Sequence, residues 1–280
     1  MTPLETIGVY GGGRMGAGIA HSFLVVGADV TIVEATPEAA AAARGRVETS
    51  IAKAAEKGLL DGETSEVLAR LVVTTDPAEL GIASLVIEAV PEIVDLKVSV
   101  LATIEDNAPD AVIATNTSSL SVDGLAAGLA RPERFIGLHF FNPVPASDLV
   151  EIVVGAKTSP ELLERATGWV EWFGKTAITV TDSPGFASSR LGVAIALEAM
   201  RMLEEGVASA QDIDTAMTLG YRHPVGPLKT TDIVGLDVRL AIAEHLAQEV
   251  GDRFTPPDIL REMVAAGNLG RKTGHGFYTW

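Results

Sequence analysis

Between Gly137 and Val153 the chain reads GLHFFNPVPASDLVEIV. Two titratable side chains interrupt its apolar runs: His139, and Glu151 twelve residues on. A carboxylate in the middle of LVEIVV is costly to bury unless it is paired, and His139 is the nearest fitting partner. An imidazole with an ordinary pKa of about 6.5 can take and return a proton near neutrality. A carboxylate on its other nitrogen would fix the tautomer and stabilise the imidazolium. Asn142 follows, ahead of Pro143 and Pro145, which are read to force an extended, rigid turn at a strand end. The structural alternatives are a core histidine satisfied by a carbonyl and a Glu151 that is merely a satisfied buried acid.

A second constellation opens the chain. VYGGGRMGAGIA carries Gly11, Gly13 and Gly16 in GxGxxG spacing, with Arg14 and Met15 between the last two. A tight turn there needs residues without a Cβ, and a pyrophosphate needs the backbone to come close. The N–H groups that open the following helix would meet the phosphates. Glu34 ends the next strand eighteen residues after Gly16. A carboxylate there accepts from ribose hydroxyls and repels a 2′-phosphate, which favours NAD over NADP. Hydride transfer from an alcohol to such a cofactor needs a base for the hydroxyl proton, the work that suits His139. Ala89 at the end of LVIEA, with Asn116 and Ser118 in ATNTSSL (114–120), completes the candidate crevice. An ordinary glycine turn, and a helix cap made by Ser118 or Ser119, are the alternatives here.

The elements that must hold these residues alternate along the chain. Short apolar strands are expected at 6–10, 28–34, 71–75, 85–89, 111–115, 134–141, 149–154 and 176–182. Helices are expected from Met15 to Val26, from the Thr36 cap and Pro37 to Gly58, over about 92–106 and 121–129, and after Pro160. That order implies βαβ units and a mostly parallel sheet. After Ser183-Pro184-Gly185 only helices are read, at 186–206, 210–219, 231–250 and 257–266. The expected architecture is an α/β Rossmann-type domain over 1–183 followed by an all-α domain over 184–280.

Composition narrows the function classes. The chain has 280 residues, 47% of them hydrophobic, enough for packed cores. A formal charge of −16 argues against nucleic acid as a partner. There is no cysteine, which excludes disulfides, thiolate nucleophiles and cysteine zinc sites and fits a cytoplasmic location. No metal site is read, no apolar run is long enough to span a bilayer, and MTPLETIGVYGGG, with Glu5, lacks a basic leader region.

GGGRMGAGIA, IEAVPEIVDLK, NTSSL, HFFNPVPASDLVEIV, DSPGF, HPVGP before DIVGLD, and GRKTGHGFY occur in this order. Together they resemble the (S)-3-hydroxyacyl-CoA dehydrogenase family over nearly the whole chain. The resemblance implies reversible oxidation of a 3-hydroxyacyl-CoA by NAD, with 3-hydroxybutyryl-CoA expected as the substrate. It also implies a homodimer formed through the helical domain. His139 matches the catalytic base and Glu151 its partner. Ser118 matches a contact to the substrate oxygen, and Asn142 falls in the signature itself. Glu92 and Lys97 match cofactor contacts, and Ser50 and Lys57 match contacts to the adenosine-phosphate end of CoA.

A basic helix face with Arg44, Arg46, Lys53 and Lys57 accords with that CoA assignment, although charge clusters are commonly plain solvated faces. One departure stands out: PGFASSR carries Ser189 where the family commonly has Asn. Ser189 remains a substrate-binding candidate with a shorter reach. A dehydrogenase of a free 3-hydroxy acid or sugar acid, and a non-catalytic NAD(H)-binding protein, are the rival readings.

Overall fold

The computed structural model describes residues 6–280; the segment before Thr6, with Glu5 and the leader reading that rests on it, lies outside them. The chain divides into two compact units that part between Ser183 and Pro184. Among the described residues no helix is long and apolar enough to cross a membrane.

The first unit is built on one eight-stranded sheet. Its strands are β1 (Thr6–Tyr10), β2 (Asp29–Val33), β3 (Leu71–Thr74), β4 (Leu85–Glu88), β5 (Val112–Thr115), β6 (Phe135–Phe140), β7 (Leu149–Val154) and β8 (Thr176–Thr181). The order across the sheet is β3-β2-β1-β4-β5-β6-β7-β8. All neighbours are parallel except β6 and β7. The chain leaves β1 to one side and crosses back to β4 on the other, so the carboxyl ends of β1 and β4 flank a topological switch point.

Helices α1 (Arg14–Val25), α2 (Pro37–Glu56), α3 (Thr64–Leu68), α4 (Val94–Asn107), α5 (Val122–Ala126) and α6 (Pro160–Trp172) belong to this unit. Thr36 caps α2 by accepting from Ala39 N, and Pro37 takes the first helical position. Ile7, Val9, Phe23, Ile32, Ile87, Leu138, Ile152 and Trp169 share the core, with Phe23 set edge-on to Trp172 and Phe173.

The second unit is helical: α7 (Ser188–Glu204), α8 (Ala210–Thr215), α9 (Pro227–Val234), α10 (Leu236–Val250) and α11 (Asp258–Ala265). Its core runs through Val193, Leu197, Met200, Leu228, Leu236, Leu246 and Leu260. The single helix expected over 231–250 is two, because Gly235 adopts φ +109°, which no helix interior accommodates. The first of them starts earlier than read, at Pro227. The helix expected over 210–219 ends at Thr215 and continues as a wider π turn over Ala216–Gly220.

Two buried carboxylates tie this unit together. Asp214 accepts from Leu228 N, Lys229 N and the Tyr278 hydroxyl. Asp232 accepts from Phe277 N, Tyr278 N and Trp280 Nε1, which fastens the chain's last residues to α9. Burial and the Asp214 carboxylate hold the Tyr278 hydroxyl above the ordinary phenol range. A Cβ on Gly226 of HPVGP would fall 2.3 Å from the Asp214 side chain, so HPVGP and GHGFY both pack against these acids.

Candidate active site

The glycine loop leaves β1 with Gly11 at φ +97°. A Cβ on Gly16 would fall 1.8 Å from the Gly11 carbonyl oxygen, so the helix can start this close to the strand only with glycine there. Gly13 differs: a Cβ on it would meet nothing within 4 Å. The loop backbone therefore faces open space at Gly13, where α1 begins without a side-chain cap. That is the space a pyrophosphate needs, next to helix N–H groups that lack partners within the helix. Arg14 is exposed and Met15 half-buried beside it.

Glu34 follows β2 and accepts from Gly12 N at 2.6 Å, with a longer contact from Ala35 N. An ionised carboxylate has about four lone-pair sites, so acceptor capacity remains for ribose hydroxyls. The loop and Glu34 thus fit a dinucleotide.

The next two strand ends are joined by a buried charge network. Glu88, the last residue of β4, is fully buried and accepts from Lys97 Nζ, Thr115 Oγ1 and Val90 N. Lys97 is 1% exposed, and its ammonium also reaches Glu92 at 3.3 Å and the Val90 carbonyl. The Lys97 donors are thus engaged within the protein, holding the two acids together. Glu92 in turn accepts from Thr117 Oγ1, Ser118 N, Ser119 N and Ser119 Oγ, and so fixes the NTSSL turn. Burial works to raise the Glu92 carboxyl, but Thr117, Lys97, Ser118 and Ser119 together outweigh it and hold it below its usual value. Asn116 Oδ1 accepts from Phe140 N at 3.0 Å, which ties this turn to β6 beside His139. Ala89 is half-buried, its carbonyl packed under Gly11.

His139 and Glu151 stand opposite each other in the antiparallel pairing of β6 with β7. His139 Nδ1 and Glu151 Oε2 are 2.7 Å apart, with the carboxylate fully buried. The Phe141 ring lies 4.5 Å from the imidazole centroid and walls its face. Beyond β6 the expected extended turn is met at Pro143 alone, whose backbone is extended. The Asn142–Pro143 peptide is cis, and Val144–Ala146 form a short 3₁₀ turn, which accommodates a proline at its start.

Asn142, Ser50, Lys53 and Lys57 line one cavity of about 910 Å³, with Arg14 and Arg46 also on its walls. Arg44 instead reaches the Leu71 carbonyl. Ser189 is in the second unit, half-buried in the first turn of α7. The sequence reading missed Glu88, Thr117 and His21, the last a buried histidine that also lines the cavity. Glu88 carried a usable signal, since an acid inside LVIEA is as anomalous as one inside LVEIVV.

Strand ends of this kind, with the glycine loop and Glu34 at the switch point, define a dinucleotide-binding protein. The first unit matches the model of the 3-hydroxyacyl-CoA dehydrogenase NAD-binding domain over residues 6–183, and the second matches that family's C-terminal domain over 185–280. The chain belongs to the 3-hydroxyacyl-CoA dehydrogenase family, and it is an NAD-dependent oxidoreductase.

It is 41% identical over 275 residues to a probable 3-hydroxybutyryl-CoA dehydrogenase of Deinococcus radiodurans, covering 98% of this chain and 99% of that one. It is 39% identical to a 3-hydroxybutyryl-CoA dehydrogenase of Mycobacterium tuberculosis, with 99% of each covered. The crystal structure of the (S)-3-hydroxybutyryl-CoA dehydrogenase from Ralstonia eutropha aligns with a TM-score of 0.95 at 41% identity, again covering 99% of each chain.

Proposed function

We propose that this chain catalyses the reversible NAD-dependent oxidation of a short-chain (S)-3-hydroxyacyl-CoA to the 3-oxoacyl-CoA. The observation that carries the mechanism is the buried 2.7 Å contact between His139 Nδ1 and Glu151. With Nδ1 committed to the carboxylate, Nε2 takes the proton from the 3-hydroxyl, and Glu151 stabilises the imidazolium that results. Bound NAD supplies the acceptor for the hydride that leaves C3. Ser118 and Asn142 bind the reacting oxygens, and Glu92, with Lys97 behind it, holds Ser118 in place. The N–H groups from Gly13 to Gly16, those of Arg14 and Met15 among them, would hold the pyrophosphate, and Glu34 would hold the adenosine ribose. Ala89 and Asn116 border the cofactor, while Ser189 is kept as a substrate contact on the family resemblance.

Glu151→Gln keeps the shape and an acceptor oxygen but removes the charge. Turnover is expected to fall roughly 10- to 100-fold, because the base it supports contributes about 10²–10⁴. The Michaelis constants and thermal midpoint should stay near wild type. Unchanged turnover would reduce Glu151 to a structural acid.

The cavity bearing Ser50, Lys53 and Lys57 is read as the site for the phosphates of CoA. NADH oxidation with acetoacetyl-CoA, run beside free acetoacetate at matched concentration, tests the substrate class, and only the CoA ester should be consumed quickly. Lys57→Glu should raise the Michaelis constant for the ester about tenfold, equivalent to ~1.4 kcal/mol. An unchanged constant would favour the free-acid rival, and tight NADH binding without turnover on either substrate would favour the non-catalytic one.

The reading includes a homodimer through the helical unit, supported by Leu191, Ile195, Val234 and Val238, apolar side chains left exposed on α7, α9 and α10. It also includes a cytoplasmic location, supported by the absence of cysteine.

A further inference from the structure

The helix that binds the dinucleotide at its start carries a buried polar residue that the mechanism does not use. His21 lies on α1, is 7% exposed, and lines the same cavity as Ser50 and the basic face of α2. Among the described residues the hydrogen-bond partner of its ring is Ser50, with Nδ1 and Oγ 2.9 Å apart. A buried polar ring needs such a partner, but the direction of the bond decides what Ser50 offers the cavity.

Burial, with the Lys175 charge nearby, pushes the His21 imidazole down to about 4, so the ring is neutral near pH 7. A neutral imidazole has one N–H, and a hydroxyl has one proton and two lone pairs. With the proton on Nε2, Ser50 must donate inward and shows only lone pairs to the cavity. With the proton on Nδ1, the ring donates to Ser50 Oγ, and the serine proton points outward. Arg14, Arg46, Lys53 and Lys57 make this cavity a place for anionic oxygens, which accept and cannot donate. The second arrangement is the one such a ligand selects.

We propose that His21 is a positioning residue for the CoA moiety, donating from Nδ1 to Ser50 Oγ so that the Ser50 hydroxyl donates to a CoA oxygen in the cavity. The proposal rests on the reading of this cavity as the CoA site. The packing around His21 keeps the relay in register with the opposite wall. Val144 seats on α1 at Gly18, where an added Cβ would fall 2.8 Å from the valine Cβ. Lys175 Nζ donates to the Val144 and Ser147 carbonyls, pinning the turn after Asn142 above the same helix. One helix therefore orients both the serine on α2 and the wall that follows His139.

The test compares His21→Ala, His21→Asn, Ser50→Ala and the double variant His21→Ala/Ser50→Ala, assayed with acetoacetyl-CoA and with the N-acetylcysteamine thioester of acetoacetate, which lacks the nucleotide. His21→Ala should raise KM for the CoA ester about 3- to 10-fold, the span of one hydrogen bond, and leave kcat within about twofold. It should leave the short thioester and NADH unaffected. His21→Asn should recover most of the loss, because its amide nitrogen occupies the Nδ1 position. The double variant should be no worse than Ser50→Ala. If the alanine variant fails to fold, His21→Leu fills the site without a donor and replaces it. An unchanged KM in His21→Ala beside a raised one in Ser50→Ala overturns the relay alone, as do losses that multiply in the double variant. Unchanged constants in both Ser50→Ala and Lys57→Glu overturn the CoA assignment of the cavity, and the relay falls with it.

Discussion

His139→Asn is expected to lose about 10²–10⁴ of turnover, the span that a positioned acid–base group supplies, while binding NADH as tightly as the unaltered chain. The two halves of that expectation come from different parts of the sheet. The proton chemistry is assigned to β6, and the dinucleotide to the loop between β1 and α1, with β4 and β5 lying between those two strands.

Asparagine is the informative replacement because of what stands behind the histidine. Glu151 is fully buried, and removing the imidazole outright takes a charge-assisted partner from a buried carboxylate. Breaking a buried pair in that way costs about 3–5 kcal/mol, so His139→Ala should lower the thermal midpoint as well as the rate. An asparagine amide nitrogen occupies the Nδ1 position, so it can still donate toward the carboxylate but cannot take a proton. Rate loss with an intact midpoint and intact NADH fluorescence titration identifies the base. Turnover within tenfold of wild type would mean that another group removes the hydroxyl proton.

The His139–Glu151 pair was legible because both residues break apolar runs, and an unpaired carboxylate inside LVEIVV has no stable structure. The same argument applied to LVIEA would have found Glu88. On α4, Lys97 falls in line with Val100, Leu101 and Ile104, at the spacing of an apolar helix face. That spacing marks it as buried, whereas the family motif marks it as a cofactor contact; the structure buries it, its ammonium donating to Glu88 and the Val90 carbonyl with Glu92 3.3 Å away. Gly235 sits inside an apolar pattern that continues on both sides, so periodicity alone runs a helix through it. The bond between His21 and Ser50 joins residues 29 apart on two helices, and nothing local predicts which faces of α1 and α2 meet. What reads directly from sequence is the residue that violates its own element. What does not is the partner brought to it by packing.

Gly16→Ala and Gly13→Ala should separate the two demands placed on the glycine loop. At Gly16 the new methyl would sit 1.8 Å from the Gly11 oxygen and 2.9 Å from its carbonyl carbon. Gly11 is held at φ +97°, and the room beside it is bounded by Ala89 O, 3.0 Å from where a Cβ on Gly11 would sit. The turn must open, moving the first N–H groups of α1 away from the phosphates. NADH affinity should fall by at least about tenfold, ~1.4 kcal/mol, and the thermal midpoint should fall with it. At Gly13 a methyl meets no protein atom within 4 Å, so the fold and its midpoint should be unchanged. Any loss of NADH affinity there comes from the ligand side of the loop, where the methyl would keep the pyrophosphate from the backbone. A Gly13→Ala variant that binds NADH like wild type would show that the dinucleotide does not cross the chain at this point.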